Sequence, residues 1–110
     1  MQASGSMISC YIRYTIDPDQ LDAFEAYARA WIPLVNSMGG THHGYFLPEQ
    51  DGDNMAVALF SFPTLADYEA YARRRKTNPR CKNAFEIANT TKCILQFEGR
   101  FMRPILPAPI

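Results

Sequence analysis

The chain has 110 residues, of which 47% are hydrophobic, and its 11 basic and 11 acidic residues cancel to a formal net charge of zero. This length is typical of one domain with its own hydrophobic core. The balanced charge argues against a nucleic-acid partner, because such partners are attracted by a strongly basic field. The longest uninterrupted apolar run, Met55–Phe60, is too short to span a bilayer, so we expect no membrane span.

The N-terminus and the cysteines bear on processing and location. Residues 1–6 lack the pattern of a signal peptide and are expected to derive from an expression vector, with the natural start at Met7. The three cysteines (Cys10, Cys81, Cys93) are widely spaced, which fits neither a zinc site nor a disulfide framework. We predict buried thiols, no metal site and a cytoplasmic location, because free thiols persist in a reducing compartment.

The first half of the chain predicts a strand followed by a helix. Ile8–Ile16 alternates apolar and polar residues, which is typical of a strand with two unlike faces. Asp17 stands at an N-cap position with Pro18 at the first helical position. Pro33 predicts a kink or an early end of the helix that follows. The apolar stripe of this helix consists of Leu21, Phe24, Ala28, Trp31, Ile32 and Val35.

The second half predicts a hairpin, two helical stretches and a last strand. The strands His42–Leu47 and Met55–Phe62 are joined by a polar loop with an Asp-Gly turn signal. Thr64 opens a helix that ends in the basic run 73–76, which we interpret as a solvated helix end favoured by the helix dipole. A short helix begins at Asn78-Pro79, and 92–102 forms the last strand.

The order β-α-β-β-α-β is that of a ferredoxin-like α+β domain with its helices on one sheet face. The other face is open and is expected to carry Tyr11, Tyr45, Ile94 and Met102. A large apolar patch usually marks an interface or a binding site. We therefore predict a homodimer through the open sheet face, since a two-fold dimer pairs like surfaces.

Three segments carry a resemblance to a known family. They are His42-His43-Gly44-Tyr45, Tyr68-Glu69-Ala70-Tyr71 and Glu98-Gly99-Arg100-Phe101-Met102-Arg103-Pro104. Over residues 7–104 the chain resembles the NIPSNAP family, within the dimeric α+β barrel superfamily. The resemblance implies a ferredoxin-like protomer that forms a dimeric α+β barrel. Residues 105–110 are expected to form an extended tail, because the end of the chain from Pro104 is rich in proline. The superfamily includes cofactor-independent monooxygenases, haem enzymes and small-molecule-binding proteins, so the resemblance selects no reaction.

The pair His42-His43 is the first candidate for chemistry. Adjacent strand residues point to opposite faces, so the pair does not chelate one metal ion. One of the two histidines is expected to face a cavity, where it would act as a general base or, as an alternative, as a haem ligand. We predict no cofactor, with haem as that alternative. The other interpretation is a hydrogen-bonded structural histidine.

A pocket between sheet and helices is predicted from polar and aromatic residues. Arg13 joins His42 and His43 as candidate catalytic residues, because a guanidinium could orient an anionic or phenolic compound. The alternatives are that Arg13, Glu98 and Arg100 form ion pairs across strands or across the dimer, and that Trp31 packs in the core. The candidate ligand-binding residues are Tyr11, Trp31, Tyr45 and Arg100.

Two functions stay open at this point. One is a non-catalytic small-molecule-binding protein of unassigned role, which requires only a cleft between the sheet and the helices. The other is a cofactor-independent monooxygenase or isomerase that acts on an aromatic or polyketide-like compound, which requires a convergent acid–base pair. In both cases we expect the ligand near the first two strands and the first helix, and not at the basic run.

Overall fold

The computed structural model describes residues 6–106. Residues 1–5 of the segment predicted to be vector-derived and residues 107–110 of the predicted tail therefore lie outside the described residues. One antiparallel sheet has the spatial order β2-β3-β1-β4. Its strands are β1 (Ile8–Ile16), β2 (Thr41–Phe46), β3 (Met55–Phe62) and β4 (Ile94–Met102). The helices are α1 (Leu21–Ser37), α2 (Leu65–Arg74) and α3 (Pro79–Thr91). This is the predicted ferredoxin-like α+β fold. None of the described helices combines the length and apolarity needed to cross a bilayer.

Side-chain caps fix the starts of α2 and α3, as the sequence predicts. The Thr64 hydroxyl accepts a hydrogen bond from the backbone N–H of Asp67 at 3.1 Å. The Asn78 side chain accepts from the N–H of Arg80 at 2.8 Å and of Cys81 at 3.3 Å. These bonds satisfy backbone donors that have no partner within the helix. The two helices are therefore separate elements with a short turn between them.

The start and the interior of α1 differ from the prediction. The Asp17 carboxylate accepts from the N–H of Asp19 at 3.0 Å, but it caps only a 3-10 turn over Pro18–Gln20, and α1 begins at Leu21. Pro33 lies inside α1, which continues to Ser37, so the predicted early end is wrong. Pro33 is exposed, and water can satisfy the carbonyl group that its ring leaves unbonded.

The two faces of the sheet follow from alternation and register. Tyr14 points towards the helices, because its ring lies 5.1 Å from that of Phe24 in α1. Residues directly opposite each other on paired strands share a face. The helix face thus includes Cys10, Ile12, Tyr14, Ala56, Ala58, Phe60, Phe97, Gly99 and Phe101. The open face includes Ser9, Tyr11, Arg13, Val57, Leu59, Ser61, Glu98, Arg100 and Met102.

Strand β4 forms a sheet edge that the helices leave largely uncovered. On its helix face, Phe97 is 68% exposed and Phe101 is 54% exposed. Their partners across the ladder, Tyr14 and Cys10, are buried. The helix layer therefore covers β1 but not β4, and a space remains between β4 and the helices.

Two register shifts correct the predicted open face. In β2 the shift falls between His42 and Gly44, and it places Tyr45 opposite Ala58 on the helix face. In β1 the shift falls between Thr15 and Ile16, and it places Ile94 opposite the buried Ile16. Tyr45 and Ile94 therefore point towards the helices, contrary to the prediction from regular alternation. Tyr11 and Met102 lie on the open face, as predicted.

Candidate functional site

A cavity of about 800 Å³ lies between the helix face of β1 and β4 and the helices α2 and α3. This volume is within the range of small-molecule sites. Its walls are rich in aromatic side chains, which include Tyr14, Tyr27, Phe60, Tyr68, Phe85 and Phe97, and they also contain the basic residues Arg75, Lys92 and Arg100. Among the described residues, no Asp or Glu contributes to the lining. The cavity is therefore an aromatic space without negative charge in its walls.

A smaller space of about 40 Å³, here called the inner chamber, lies next to the cavity on the side of α1 and β2. The two spaces share Tyr14, Tyr27 and Arg75 as wall residues. Beyond these, the inner chamber reaches Trp31 and His42. A cavity of roughly 10–15 Å³ is enough to hold one water molecule. The inner chamber can thus hold a single small chemical group.

His42 is held in one orientation at the inner chamber. Its Nδ1 accepts a hydrogen bond from the N–H of Gly44 at 2.9 Å, and its backbone N–H donates to the Asn36 side chain at 2.8 Å. The imidazole stacks on the rings of Tyr45 and Phe60, with centroid distances of 4.9 and 5.3 Å. Because Nδ1 is the acceptor, the proton of the neutral ring is on Nε2. Nε2 is buried and has no hydrogen-bond partner among the described residues.

The environment of His42 favours its neutral form. Burial, with a smaller contribution from His43, lowers the pKa of His42 from 6.5 to about 4. At neutral pH its one basic lone pair is engaged by Gly44, so His42 is a hydrogen-bond donor and not a ready general base. The same geometry does not fit a haem ligand, since an imidazole that binds iron through Nε2 donates from Nδ1.

Trp31 supplies a second unpaired donor. Its ring packs edge-on against Phe85 of α3, with the centroids 4.7 Å apart. The indole Nε1 is buried and has no hydrogen-bond partner among residues 6–106. A buried polar group without a partner is costly and needs an explanation. The alternative of core packing has direct support, because Trp31 belongs to the hydrophobic core, but packing alone does not account for its free N–H.

Three tyrosines surround the inner chamber and remain protonated at neutral pH. Burial raises the pKa of Tyr14 to about 12, although interactions with the Tyr45 and Tyr27 hydroxyls oppose the rise. Burial also raises the pKa of Tyr27 and of Tyr45. A protonated phenol can donate or accept a hydrogen bond. These hydroxyls therefore add groups that can donate or accept a hydrogen bond, and they add no negative charge.

Arg75 differs from the prediction that the whole basic run 73–76 is a solvated helix end. Arg73, Arg74 and Lys76 are exposed, as predicted, but Arg75 is half-buried and lines both spaces. Its guanidinium carbon lies 5.3 Å from the centroid of the Tyr71 ring, a distance typical of cation–π contact. The sequence carries a usable signal, because Tyr68, Tyr71 and Arg75 follow each other at helical intervals of three and four.

The sequence-predicted site residues divide between the two sheet faces. His42, Trp31 and Tyr45 meet at the inner chamber. Arg13 and His43 lie outside both spaces, so the structure does not bring them together with the other three residues. Tyr11 and Arg100 border the cavity, although their register positions are on the open face. Tyr14, Tyr27 and Arg75 are the site residues that the sequence prediction missed.

The open-face residues make contacts of their own. The Nε2 atom of His43 lies 2.8 Å from the Ser61 hydroxyl, which lies 2.6 Å from that of Ser9. The serines are buried, so this chain bridges β2, β3 and β1 as a structural contact. Arg100 forms a loose, exposed ion pair with Glu98 at 3.7 Å. The structural alternatives for His43 and Arg100 thus have direct geometric support.

The three cysteines are also potential reactive groups. Cys10, Cys81 and Cys93 are free and buried, as the sequence predicts. Burial raises the pKa of the Cys10 thiol to about 12, which makes the nucleophilic thiolate rare at neutral pH. Over residues 6–106, no group of three or more His, Cys, Asp or Glu side chains is arranged to hold a metal ion.

Comparisons with solved structures identify the fold. A NIPSNAP family protein from Agrobacterium tumefaciens has a TM-score of 0.77 and 22% identity, over 96% of this chain and 94% of its own. A NIPSNAP-like domain protein from Burkholderia xenovorans has a TM-score of 0.75 and 19% identity, over 96% and 91%. A Nitrosomonas europaea protein provisionally named an antibiotic biosynthesis monooxygenase has a TM-score of 0.70 and 14% identity, over 99% of this chain and 100% of its own. These identities are low and show the fold alone.

Sequence comparison identifies the family. No curated protein matches the chain significantly. The family model of NIPSNAP, by contrast, matches residues 10–109. This match includes all three segments that carry the sequence resemblance, as well as β4 and the residues that line the cavity. The chain belongs to the NIPSNAP family.

Proposed function

We propose that this protein binds a small, largely aromatic molecule in the cavity between the sheet and the helices. The observation that carries the proposal is an aromatic-rich cavity of about 800 Å³ that lies next to a smaller chamber, whose wall includes Trp31 and His42, two residues with unpaired buried N–H groups. Ligand sites are mostly apolar and contain a few polar groups that fix orientation. The cavity has this composition, and Trp31 and His42 supply the polar groups.

Binding is favoured over proton-transfer catalysis by the state of the titratable groups. A monooxygenase or isomerase that activates its substrate by removing a proton needs a base with a pKa near the working pH. The pKa of His42 is lowered to about 4 and its free lone pair accepts from Gly44. The pKa values of Tyr14 and Cys10 are both raised to about 12. None of these groups is poised to remove a proton at neutral pH.

The experiment uses Trp31, the one tryptophan of the chain, as an internal reporter. Anilinonaphthalene sulfonate bound in the cavity should quench Trp31 fluorescence by energy transfer. Ala88 lines the cavity, so Ala88→Phe should fill part of it and weaken binding by about tenfold, as expected for loss of about 1.4 kcal/mol. Ala66→Phe, on the exposed side of α2, is the matched control. Equal dye affinity in both variants would contradict the proposal.

The proposed assembly is a homodimer through the open face. The support is an exposed or half-exposed apolar surface that contains Tyr11, Val57, Leu59, Met55 and Met102. Such patches usually mark interfaces. Leu59→Arg should shift sedimentation equilibrium towards the 12.5 kDa monomer, while Leu65→Arg on α2 should not. A monomer in the unmodified protein at micromolar concentration would rule the dimer out.

Domain limits and location remain part of the proposal. We place the domain at residues 7–104, with 105–110 as a tail, in agreement with a sheet that ends at Met102. Three free, buried thiols agree with a cytoplasmic location, because reducing compartments preserve thiols. Limited proteolysis that leaves a fragment spanning 7–104 would support these limits.

A further inference from the structure

We infer that the inner chamber recognises an anionic oxygen, a carboxylate or phenolate, on a planar aromatic ligand whose ring lies in the outer cavity. This inference rests on the proposed function, because it names the class of ligand that the same cavity would take. It assigns the recognition to the indole N–H of Trp31, the imidazole N–H of His42 and the guanidinium of Arg75. These groups come from α1, β2 and the end of α2.

The first argument is the unbalanced hydrogen-bonding capacity of the chamber. Trp31 Nε1 and His42 Nε2 are both donors, both buried and both without an acceptor among the described residues. The indole N–H can only donate, and the Gly44 bond makes His42 Nε2 a donor as well. Leaving buried donors unpaired costs free energy. A ligand oxygen that accepts from either N–H would reduce this cost, whereas a ligand N–H would not.

The second argument is charge. Arg75 is half-buried at the chamber wall, and the ion pairs found within residues 6–106 join other side chains, Arg29 to Glu25 and Arg100 to Glu98. In the same part of the chain, neither the cavity nor the chamber has an acidic side chain in its lining. A charged guanidinium in such surroundings attracts a negative group and can donate two parallel hydrogen bonds to a carboxylate.

The third argument is shape. The inner chamber, at about 40 Å³, holds one small group, and the adjoining cavity of about 800 Å³ holds a larger body. The cavity walls present the rings of Tyr68, Phe85 and Phe97. Aromatic side chains pack favourably on a flat ring in offset or edge-on geometry. A ligand with a charged oxygen at one end of an aromatic ring matches these two adjacent spaces, with the oxygen at the inner chamber and the ring in the cavity.

The test compares naphthoate with naphthamide, which has nearly the same shape but no charge. The chain has one tryptophan, so a ¹⁵N–¹H spectrum contains one indole signal, that of Trp31. Naphthoate should shift this signal at pH 7 and bind at least about tenfold more tightly than naphthamide, the difference expected for one charge-assisted interaction. Naphthol at a pH above the pKa of its hydroxyl group carries a negatively charged phenolate-like oxygen. Its affinity under these conditions tests whether a phenolate can replace the carboxylate.

Variants of the basic run decide whether Arg75 is responsible. Arg75→Gln should remove the preference for naphthoate, and Arg75→Lys should restore part of it. Arg73→Gln, the same change at an exposed position of the same helix, should leave the preference intact. Equal affinities for naphthoate and naphthamide in the unmodified protein, with both shifting the indole signal, would overturn the inference and leave small-molecule binding standing. If dye and naphthalene compounds all leave the indole unaffected, both proposals fail.

Discussion

The imidazole of His42 stacks on the ring of Tyr45 with the centroids 4.9 Å apart and the planes 15° from parallel. The two residues are three positions apart on β2, a spacing that places side chains on opposite faces of a regular strand. The register shift at Gly44 turns them to the same face. The backbone of Gly44 has φ +117°, which residues with a Cβ rarely adopt. Gly44 therefore brings the two rings together at the inner chamber.

Replacing Gly44 should be destabilising for conformational reasons alone. A Cβ at this position would meet no atom within 4 Å, so the cost of Gly44→Ala comes from the positive φ. We expect a loss of about 2 kcal/mol in the free energy of unfolding, measured by urea denaturation. Gly99→Ala is the control, because its Cβ would make ordinary contacts at 3.8 Å. An equal loss in the two variants would mean that positive φ is not the cause.

The stability of the protein should decrease in acid because of His42. The pKa of this group falls from 6.5 to about 4 on folding, so between these values the unfolded chain binds a proton that the folded chain does not. The stabilising contribution is complete above pH 6.5 and is lost as the pH falls towards 4. It amounts to at most about 3 kcal/mol, since one pKa unit corresponds to about 1.4 kcal/mol.

Paired variants separate this effect from the titration of carboxylates. In His42→Gln the decrease in unfolding free energy between pH 6.5 and 4 should be smaller than in the unmodified protein. His43→Gln should keep most of the decrease, because burial is the larger cause of the lowered pKa of His42 and His43 contributes less. The same decrease in all three proteins would show that His42 does not carry the pH dependence.

The caps of α3 and of the turn before α1 should differ in strength. Asn78 accepts two backbone hydrogen bonds at the start of a 13-residue helix. Asn78→Ala should therefore cost about 1 kcal/mol, typical of an N-cap. Asp17 accepts one such bond at a 3-10 turn, so Asp17→Ala should cost less. Denaturation midpoints measure both, and a larger loss at Asp17 would contradict this ranking.

The thiols should be unreactive until the protein unfolds. All three cysteines are buried, and burial raises the pKa of Cys10 to about 12, which lowers the thiolate fraction. We expect a thiol-specific reagent that is neither aromatic nor charged, such as N-ethylmaleimide, to modify three cysteines in denaturant and essentially none in the native protein over the same time. Rapid modification in the native state would show that the wall near Cys10 opens readily.

Most of the fold was predictable because local signals agreed with the overall arrangement. Strands β1 and β3 have the bounds that their apolar patterns predict, and Thr64 and Asn78 cap the helices that they were expected to cap. The start of α1 was less predictable, because the proline after Asp17 is compatible with either a 3-10 turn or an α-helix. Local chemistry alone does not decide between these two structures.

The site was predicted only in part, because it depends on register. Regular alternation predicts opposite faces for His42 and Tyr45, and the bulge at Gly44 reverses this for Tyr45. Arg75 was grouped with its exposed neighbours, although its spacing from Tyr71 places it on the buried side of α2. Arg13 and His43 follow regular alternation and lie on the open face, where they can take part only in chemistry outside the cavity.

The uneven covering of β4 has a consequence for how members of this family could diversify. The chamber groups Trp31, His42 and Arg75 are held by elements packed into the core, whereas Phe97 and Phe101 stand on an edge strand with few constraints. Substitutions on β4 would change the size and shape of the accepted ring at little cost in stability. Selectivity for the size and shape of the ligand could thus evolve quickly through β4. The residues that contact the charged group of the ligand would stay unchanged.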